Sequence, residues 1–190
     1  AIGKALADPV WWFFLFWLPK FLASQFGIRG KDQMLPLALV YTMAGIGSLI
    51  GGYSSSALIK RGWTVNAARK ATFTGVAVLM PVVILAAFTK NPWTAVFLIG
   101  CGTMLHQANS TNLFTFASDM FPSHAVGTVV GFGGAVAGLT SMAAAEYTGR
   151  ILQRDPNFYL PMFVFGGIIY AVAFLIIHLL VPKIEPAKIG

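Results

Sequence analysis

Six long apolar stretches dominate the chain, and short polar segments separate them. The stretches cover residues 9–27, 34–58, 70–88, 93–117, 127–149 and 159–181. Each is close to the roughly 20 apolar residues that a helix needs to cross a bilayer. Polar and apolar positions do not alternate as they do in barrel strands, and the backbone must bond to itself in lipid. The pattern therefore predicts an all-α membrane protein with six transmembrane helices.

The composition agrees with this prediction. Of the 190 residues, 57% are hydrophobic and 10% are charged, whereas an average soluble domain has roughly 25% charged residues. The net charge of +7 comes from basic residues scattered over loops and helix ends, which indicates interfacial charge rather than a nucleic-acid-binding surface. The single cysteine, Cys101, excludes a disulfide framework within the chain.

The same charges predict an orientation. An even number of spans puts both termini on one side, and placing that side in the cytoplasm gives seven basic residues inside and five outside. This weak positive-inside bias favours cytoplasmic termini. Because the chain begins with Ala1 rather than Met, we expect it to be part of a longer protein. The seven inside residues are Lys4, Lys60, Arg61, Arg69, Lys70, Lys183 and Lys188.

The first apolar stretch carries one charge far from its predicted ends. Lys20 lies 11 residues beyond Pro9, which is about 16 Å along a helix. A charge at that depth usually faces a water-filled cavity or a partner. It shares a helical face with Phe13, Phe16 and Trp17, so a carboxylated sugar would meet an ammonium group beside aromatic rings. The alternative is that Lys20 reaches the outer surface along its flexible stem.

The fourth stretch carries a polar stripe on one face. Such a stripe must face a neighbouring helix or an aqueous path, because lipid would leave its groups unpaired. It predicts either a surface for a polyhydroxylated substrate, with Gln107 as the main contact, or hydrogen bonds between helices. We expect Asn109 and Asn112, which lie off the stripe, to bond to adjacent helices. The stripe consists of Thr103, Gln107, Ser110, Thr111, Thr115 and Ser118.

The fifth stretch has a continuous stripe of small residues, which predicts close packing against neighbouring helices. Glu146 is the only carboxylate within the six predicted spans, and we interpret it as a solvated or paired group near the outer end. No internal repeat is visible, although the two triplets of helices could form an inverted pair. The small residues are Gly127, Gly131, Gly134, Ala135, Gly138, Ala145 and Gly149.

Motifs for catalysis are absent from the sequence. It has no Walker loop, no zinc-binding HExxH, no Gly-x-Ser-x-Gly elbow and no paired carboxylates. His106 has no further ligand at metal-binding spacing, so we interpret it as a packing histidine. We therefore predict that the chain is not an enzyme and has no catalytic residue, metal site or cofactor.

Three segments resemble the major facilitator superfamily, and within it the hexuronate transporters of the anion:cation symporter branch. Residues 16–22 are similar to that family's first helix of the second half. The segment from Gly51 to Gly62 resembles the loop motif between helices eight and nine, although its usual acidic position is not acidic here. Asn109 stands where the family has an aromatic residue. Similarity to the tenth helix and the following turn is carried by residues 106–107, 112–115, 118–122, 125–126 and 129–131.

The resemblance implies that residues 1–190 are the C-terminal six-helix half of a twelve-helix fold, with the N-terminal half missing. It implies alternating access around a midplane site, in a cavity lined here by the first, second, fourth and fifth helices, while the third and sixth face lipid. It further implies proton-coupled symport of glucuronate or galacturonate across the bacterial inner membrane. The coupling carboxylate would then lie in the missing half.

The substrate-binding residues that we predict come from the first and fourth helices. The expected partners are a hexuronate or related organic anion, a coupling proton, the lipid bilayer and the missing half. Two alternatives stay open: the same fold could carry an aldonate or aldarate, or the chain could be a self-contained six-helix scaffold or channel. The predicted site residues are Lys20, Trp17, Gln107, Ser110, Thr111 and Thr115.

Overall fold

The computed structural model describes residues 1–184, and within that range the chain is helical and contains no β-strand. The all-α prediction is confirmed. Lys188, which contributes to the predicted orientation, lies outside the described residues. The long helices are α1 (Ile2–Phe26), α2 (Met34–Lys60), α3 (Val65–Leu79), α4 (Pro92–Met120), α5 (Ser123–Arg154) and α6 (Leu160–Leu180). Short 3-10 helices cover Gly30–Gln33 before α2 and Met80–Ala87 after α3.

Four helical segments are long and apolar enough to cross a membrane. They are Gly30–Lys60, Val65–Ala87, Ser123–Arg154 and Leu160–Leu180. The helices α1 and α4 have 25 and 29 residues, so composition rather than length keeps them below that criterion. α1 contains tryptophans, two prolines and Lys20, and α4 contains the polar stripe. The two helices that carry the predicted site residues thus fall below that criterion, and six membrane spans stay a prediction.

Several helices extend beyond the apolar stretches that predicted them. α1 begins at Ile2, seven residues before the predicted start, and an ion pair between Lys4 and Asp8 spans its first two turns. α3 begins at Val65 because the side chain of Thr64 accepts a hydrogen bond from the third residue of the helix. Capping and ion pairs satisfy polar groups at the helix ends, so these helices continue through polar sequence.

The six helices pack around a contact between α1 and α4. α1 packs along α5 and α6, whereas α4 packs along α2 and α3. α3 and α6 also contact each other. The correspondence between the two triplets of helices is incomplete, because α2 packs along α3 more extensively than α5 packs along α6. An inverted pair of triplets stays a prediction.

The closest approach between helices is that of α2 and α4. A Cβ atom at Gly47 would lie 2.6 Å from the Cα atom of Met104, and one at Gly51 would lie 2.6 Å from the carbonyl oxygen of Ala108. Both contacts are with backbone, which cannot rotate away. Gly47 and Gly51 have the four-residue spacing that allows membrane helices to touch.

Most glycines of the small-residue stripe of α5 do not pack within residues 1–184. A Cβ atom at Gly127, Gly131, Gly134 or Gly138 would meet nothing within 4 Å, whereas one at Gly149 would lie 3.8 Å from the Trp17 ring. The predicted close packing of the first four positions is therefore not seen within the described residues. α5 instead buries the side that carries Gly133, Ala137 and Ser141. Its contact with α1 includes a hydrogen bond from the hydroxyl of Thr140 to the carbonyl of Ala5.

We predict that Gly51→Ala destabilises the full-length protein by about 1–3 kcal/mol, because the added methyl group collides with the backbone of α4. The measurement is thermal unfolding of the purified protein in detergent. Gly45→Ala is the matched control, since it lies on the same helix and its Cβ would meet nothing within 4 Å. A Gly51→Ala protein as stable as the Gly45→Ala protein would contradict the close approach of α2 and α4.

Candidate functional site

The hydrogen bonds of α4 divide its polar stripe into three groups. Thr103 Oγ1 lies 3.3 Å from the carbonyl oxygen of Val40, and Thr111 Oγ1 lies 3.4 Å from that of Ser48. Both carbonyls belong to α2. Each hydroxyl also donates to a carbonyl of α4 itself, that of Gly100 at 2.9 Å and that of Gln107 at 3.0 Å, so its contact with α2 is the longer of the two. These threonines link α4 to α2, the alternative that the sequence left open for the stripe.

The C-terminal members of the stripe form hydrogen bonds within α4 itself. Thr115 donates to the carbonyl of Asn112 at 3.0 Å, and Ser118 donates to that of Thr115 at 2.9 Å. The side chains of Gln107 and Ser110 make no hydrogen bond to any of residues 1–184. Ser110 is buried and Gln107 is half-buried. These two residues are the members of the stripe whose polar groups remain unpaired.

Gln107 lies near the middle of α4 on an open face of the bundle. Phe114, two helical turns further on, shares this face and is 42% exposed. Asn112 points the other way and donates to the carbonyl of Gly51 on α2 at 2.9 Å, as expected. Asn109 is buried but makes no side-chain hydrogen bond within residues 1–184, so its predicted bond to a neighbouring helix is not seen.

Lys20 is exposed, and its Nζ atom lies 4.9 Å from the centroid of the Trp17 ring. The predicted pairing of an ammonium with an aromatic ring is therefore present. Because α1 begins at Ile2 and ends at Phe26, Lys20 is six residues, or about 9 Å, from the end of the helix. Its depth in the membrane stays a prediction.

The contacts between α1 and α4 set the register of these antiparallel helices. Lys4 Nζ lies 4.6 Å from the centroid of the Phe114 ring. Further along α1, the Trp11 ring stacks on the His106 ring with centroids 5.5 Å apart. Gln107 follows His106 directly, so its level along the bundle is that of Trp11.

This register separates the predicted site residues into two sets. Lys20 lies nine residues beyond Trp11, which is about 14 Å along α1. Lys20 and Trp17 are therefore together near one end of the bundle. Gln107, Ser110, Thr111 and Thr115 are on the middle and opposite parts, and the structure does not bring the two sets together.

A buried aromatic cluster joins α1, α4 and α6 beside Gln107. The Nδ1 atom of His106 and the hydroxyl of Tyr170 are 2.6 Å apart, and both residues are buried. Tyr41 of α2 meets the edge of the Trp11 ring. His106 thus has packing and hydrogen-bonding partners that agree with its interpretation as a packing histidine. Among residues 1–184, no group of three His, Cys, Asp or Glu side chains is placed to hold a metal ion.

The sequence pattern missed a largely buried ion pair in α1. Lys4 Nζ and Asp8 Oδ2 are 2.9 Å apart, with side chains 15% and 16% exposed. Glu146 is the only carboxylate within the predicted spans. The observed α1 begins before Asp8, so this helix contains a carboxylate that the predicted span left out. The four-residue spacing of opposite charges was the signal that could have revealed it. Glu146 is paired with Arg150 at 2.9 Å, as expected.

A second polar cluster joins α2, α3 and α4. Arg69 is buried, and its Nε atom donates to Asp119 Oδ2 at 2.8 Å. Its Nη1 atom donates to the hydroxyl of Ser55 at 2.6 Å. Ser55 belongs to the segment that resembles the loop motif lacking its acidic residue. In that segment the hydroxyl of Ser55 accepts a hydrogen bond from Arg69. Asp119 of α4 is the negatively charged partner of Arg69.

A cavity of about 320 Å³ lies between α1, α5 and α6. Its lining is mainly aromatic and aliphatic, including Trp12, Phe13 and Phe165. Trp17 borders it, but Lys20 and the residues of α4 do not. A cavity without charged side chains does not suit a sugar acid, so the polar face of α4 is the better candidate for substrate binding.

We predict that Arg69→Gln destabilises the full-length protein by about 2–3 kcal/mol, because it leaves Asp119 without its buried partner. Arg150→Gln is the control. It breaks an ion pair of similar length whose side chains are 72% and 68% exposed, and we expect a change below about 1 kcal/mol. Thermal unfolding in detergent measures both effects, and equal losses would contradict a structural role for the Arg69 cluster.

Comparison with known proteins places the chain among transporters. It matches the family model of the Major Facilitator Superfamily over residues 3–145, about three quarters of its length. It is 31% identical over 193 residues to the hexuronate transporter of Escherichia coli (strain K12), covering 99% of this chain and 44% of that relative. The predicted resemblance is thereby confirmed.

Two further relatives are also named as transporters of organic acids. The probable sulfoacetate transporter SauU of Cupriavidus necator is 26% identical, over 83% of this chain and 37% of the relative. The D-galactonate transporter of Escherichia coli O6:H1 is 22% identical, over 77% of this chain and 34% of the relative. The chain spans less than half the length of these three relatives. Their names agree with the prediction that it is not an enzyme.

Proposed function

The chain belongs to the Major Facilitator Superfamily, and on that premise we propose that it is the C-terminal six-helix half of a secondary transporter for sugar acids. The full protein would carry a hexuronate such as glucuronate or galacturonate together with a proton. It would do so by alternating access across the bacterial inner membrane, with both ends of this half in the cytoplasm. α1 and α4 would then cross the membrane with the other four helices.

The exposed faces of α2 and α5 support the proposal that a second half packs against this one. α2 and α5 have open faces that mix small residues such as Gly45 and Gly131 with large apolar ones such as Leu49 and Met142. Small residues on an open face suit contact with another helix. The exposed residues of α6, by contrast, are mostly large and aliphatic, as lipid contact requires. We assign the open faces of α2 and α5 to the missing half.

The proposal of a substrate site in this half rests on the position of Gln107. Its amide is unpaired among residues 1–184, lies near the middle of α4 and belongs to the face that Phe114 shares. Transporter sites lie near the bilayer midplane, and an amide offers both donors and acceptors to sugar hydroxyls. Ser110 would add a hydroxyl group beside it, and the hydroxyl oxygens of Thr111 and Thr115, which donate to backbone carbonyls, could still accept from the substrate.

Lys20 has a different part in this proposal. It lies near the end of α1 that faces outward in the proposed orientation. An exposed cation there would attract the anionic substrate from solution, an effect that falls off over a screening length of about 8 Å at physiological salt. Its cation–π contact with Trp17 favours this position of the ammonium group.

The relatives support an organic anion as substrate. Hexuronate, D-galactonate and sulfoacetate, which appear in their names, are all anions of organic acids. We predict that the full-length protein, reconstituted in vesicles, takes up labelled glucuronate when the outside is acidic. Transport of galactonate without glucuronate would replace hexuronate by an aldonate within the same fold. Absence of transport for either anion, in protein shown to be folded, would contradict the proposed function.

We predict that Gln107→Ala raises the KM for glucuronate by about five- to tenfold, the size expected for one lost hydrogen bond. Gln153→Ala, at the exposed end of α5, is the matched control and should leave uptake unchanged. Lys20→Ala should raise KM mainly at low ionic strength, because its attraction is screened by salt. An unchanged KM in both variants at every ionic strength would refute these site residues.

A further inference from the structure

The ion pair between Lys4 and Asp8 lies inside a helix that the proposed function places in the membrane. Asp8 is six residues from the start of α1, or about 9 Å along it. Both side chains are more than four-fifths buried. Charged groups in such positions are costly and usually serve transport or ligand binding. Neither residue has a part in the site proposed above.

The pair stands beside the face of α4 that carries Gln107. Lys4 Nζ lies over the ring of Phe114 at 4.6 Å from its centroid, and Phe114 is partly exposed on that face. Asp8 lies between Lys4 and Trp11 on α1, so its level falls between those of Phe114 and His106 on α4. The cation nearest to the level of Gln107 is thus Lys4 rather than Lys20.

Other titratable groups around the pair are engaged with one another. His106 of α4 and Tyr170 of α6 share a hydrogen bond at 2.6 Å. The hydroxyl of Tyr170 also lies 3.4 Å from the carbonyl oxygen of Ala7. Tyr41 of α2 meets Trp11, and α5 contributes the hydroxyl of Thr140 to this end of α1. Within residues 1–184, Lys4 is the cation that forms an ion pair with Asp8.

The resemblance implies a coupling carboxylate in the missing half, because no acid lies within the predicted spans near the midplane; the ion pair of α1 offers a coupling carboxylate in this half. We infer, on the basis of the proposed function, that Lys4 and Asp8 form an exchangeable counter-ion pair that couples a proton to the transported anion. In the resting pair, the Asp8 carboxylate neutralises the Lys4 ammonium. A proton taken from the aqueous side neutralises Asp8, and the substrate's carboxylate then becomes the counter-ion of Lys4. On release the anion leaves, the proton returns to water, and Asp8 pairs with Lys4 again. No bond other than O–H of Asp8 forms or breaks.

Charge balance makes the two binding events depend on each other. An anion that arrives while Asp8 is ionised brings a second carboxylate to one ammonium group. A proton that binds without the anion leaves the Lys4 ammonium unpaired in a place of low dielectric constant, which is costly. Proton and anion together leave the net charge of the site unchanged. Each ligand therefore raises the affinity for the other, as reciprocal linkage requires.

The experiment compares two assays on the full-length protein in vesicles. One measures accumulation of labelled glucuronate driven by a pH gradient, and the other measures counterflow exchange at equal pH. Asp8→Asn should lower gradient-driven accumulation at least about tenfold, the loss that goes with one charge-assisted interaction, and flatten its pH profile. Counterflow should stay within about threefold of wild type. Lys4→Met should raise the KM about tenfold in both assays.

Glu146→Gln is the matched control, since Glu146 and Arg150 have the same four-residue spacing and a distance of 2.9 Å but are exposed. It should change neither assay. Unaltered accumulation and pH profile in Asp8→Asn would overturn the inference. So would loss of both accumulation and counterflow in an Asp8→Asn protein of wild-type thermal stability. If wild type itself transports no organic anion, the proposed function fails, and the inference falls with it.

Discussion

The backbone contact between α2 and α4 determines where the polar side chains of α4 point. Because Gly47 and Gly51 have no side chain, the two helices touch, and the amide of Asn112 reaches the carbonyl of Gly51 at 2.9 Å. That contact fixes the rotation of α4 about its axis. Gln107 is consequently left on the open side, between α1 and α2. In lipid, packing and hydrogen bonds must hold helices together without a hydrophobic driving force, so apolar burial cannot replace this contact.

Hydropathy was sufficient to predict six helices, because backbone in lipid has few alternatives to helix. It located the helix ends less well. A hydropathy pattern follows side-chain transfer energies, whereas α1 and α3 begin where Lys4 pairs with Asp8 and where Thr64 caps the next turn. The predicted depth of Lys20 was measured from Pro9, whereas α1 begins at Ile2. Asp8 was missed because it lies just before the apolar stretch.

The parts of the site that the sequence could not predict depend on relations between helices. Periodicity placed Gln107 on the polar face of α4, but the level of Lys20 relative to it depends on the stacking of Trp11 on His106. Likewise, a stripe of small residues predicts that something packs closely, not which partner does so. Gly51 packs on α4, whereas Gly131 faces open space. Only the packed structure distinguishes these two glycines.

The chain contains two ion pairs with the same spacing and length but opposite surroundings. The pair of Glu146 and Arg150 is exposed, where such pairs contribute roughly 0–1 kcal/mol. The pair of Lys4 and Asp8 is mostly buried, and desolvation offsets most of its attraction. The contact of the Lys4 ammonium group with the Phe114 ring offsets part of the desolvation free energy. Apolar residues of similar volume would stabilise this position at least as well. Stability therefore does not account for charges at this place, whereas the proposed exchange of their partners during transport would.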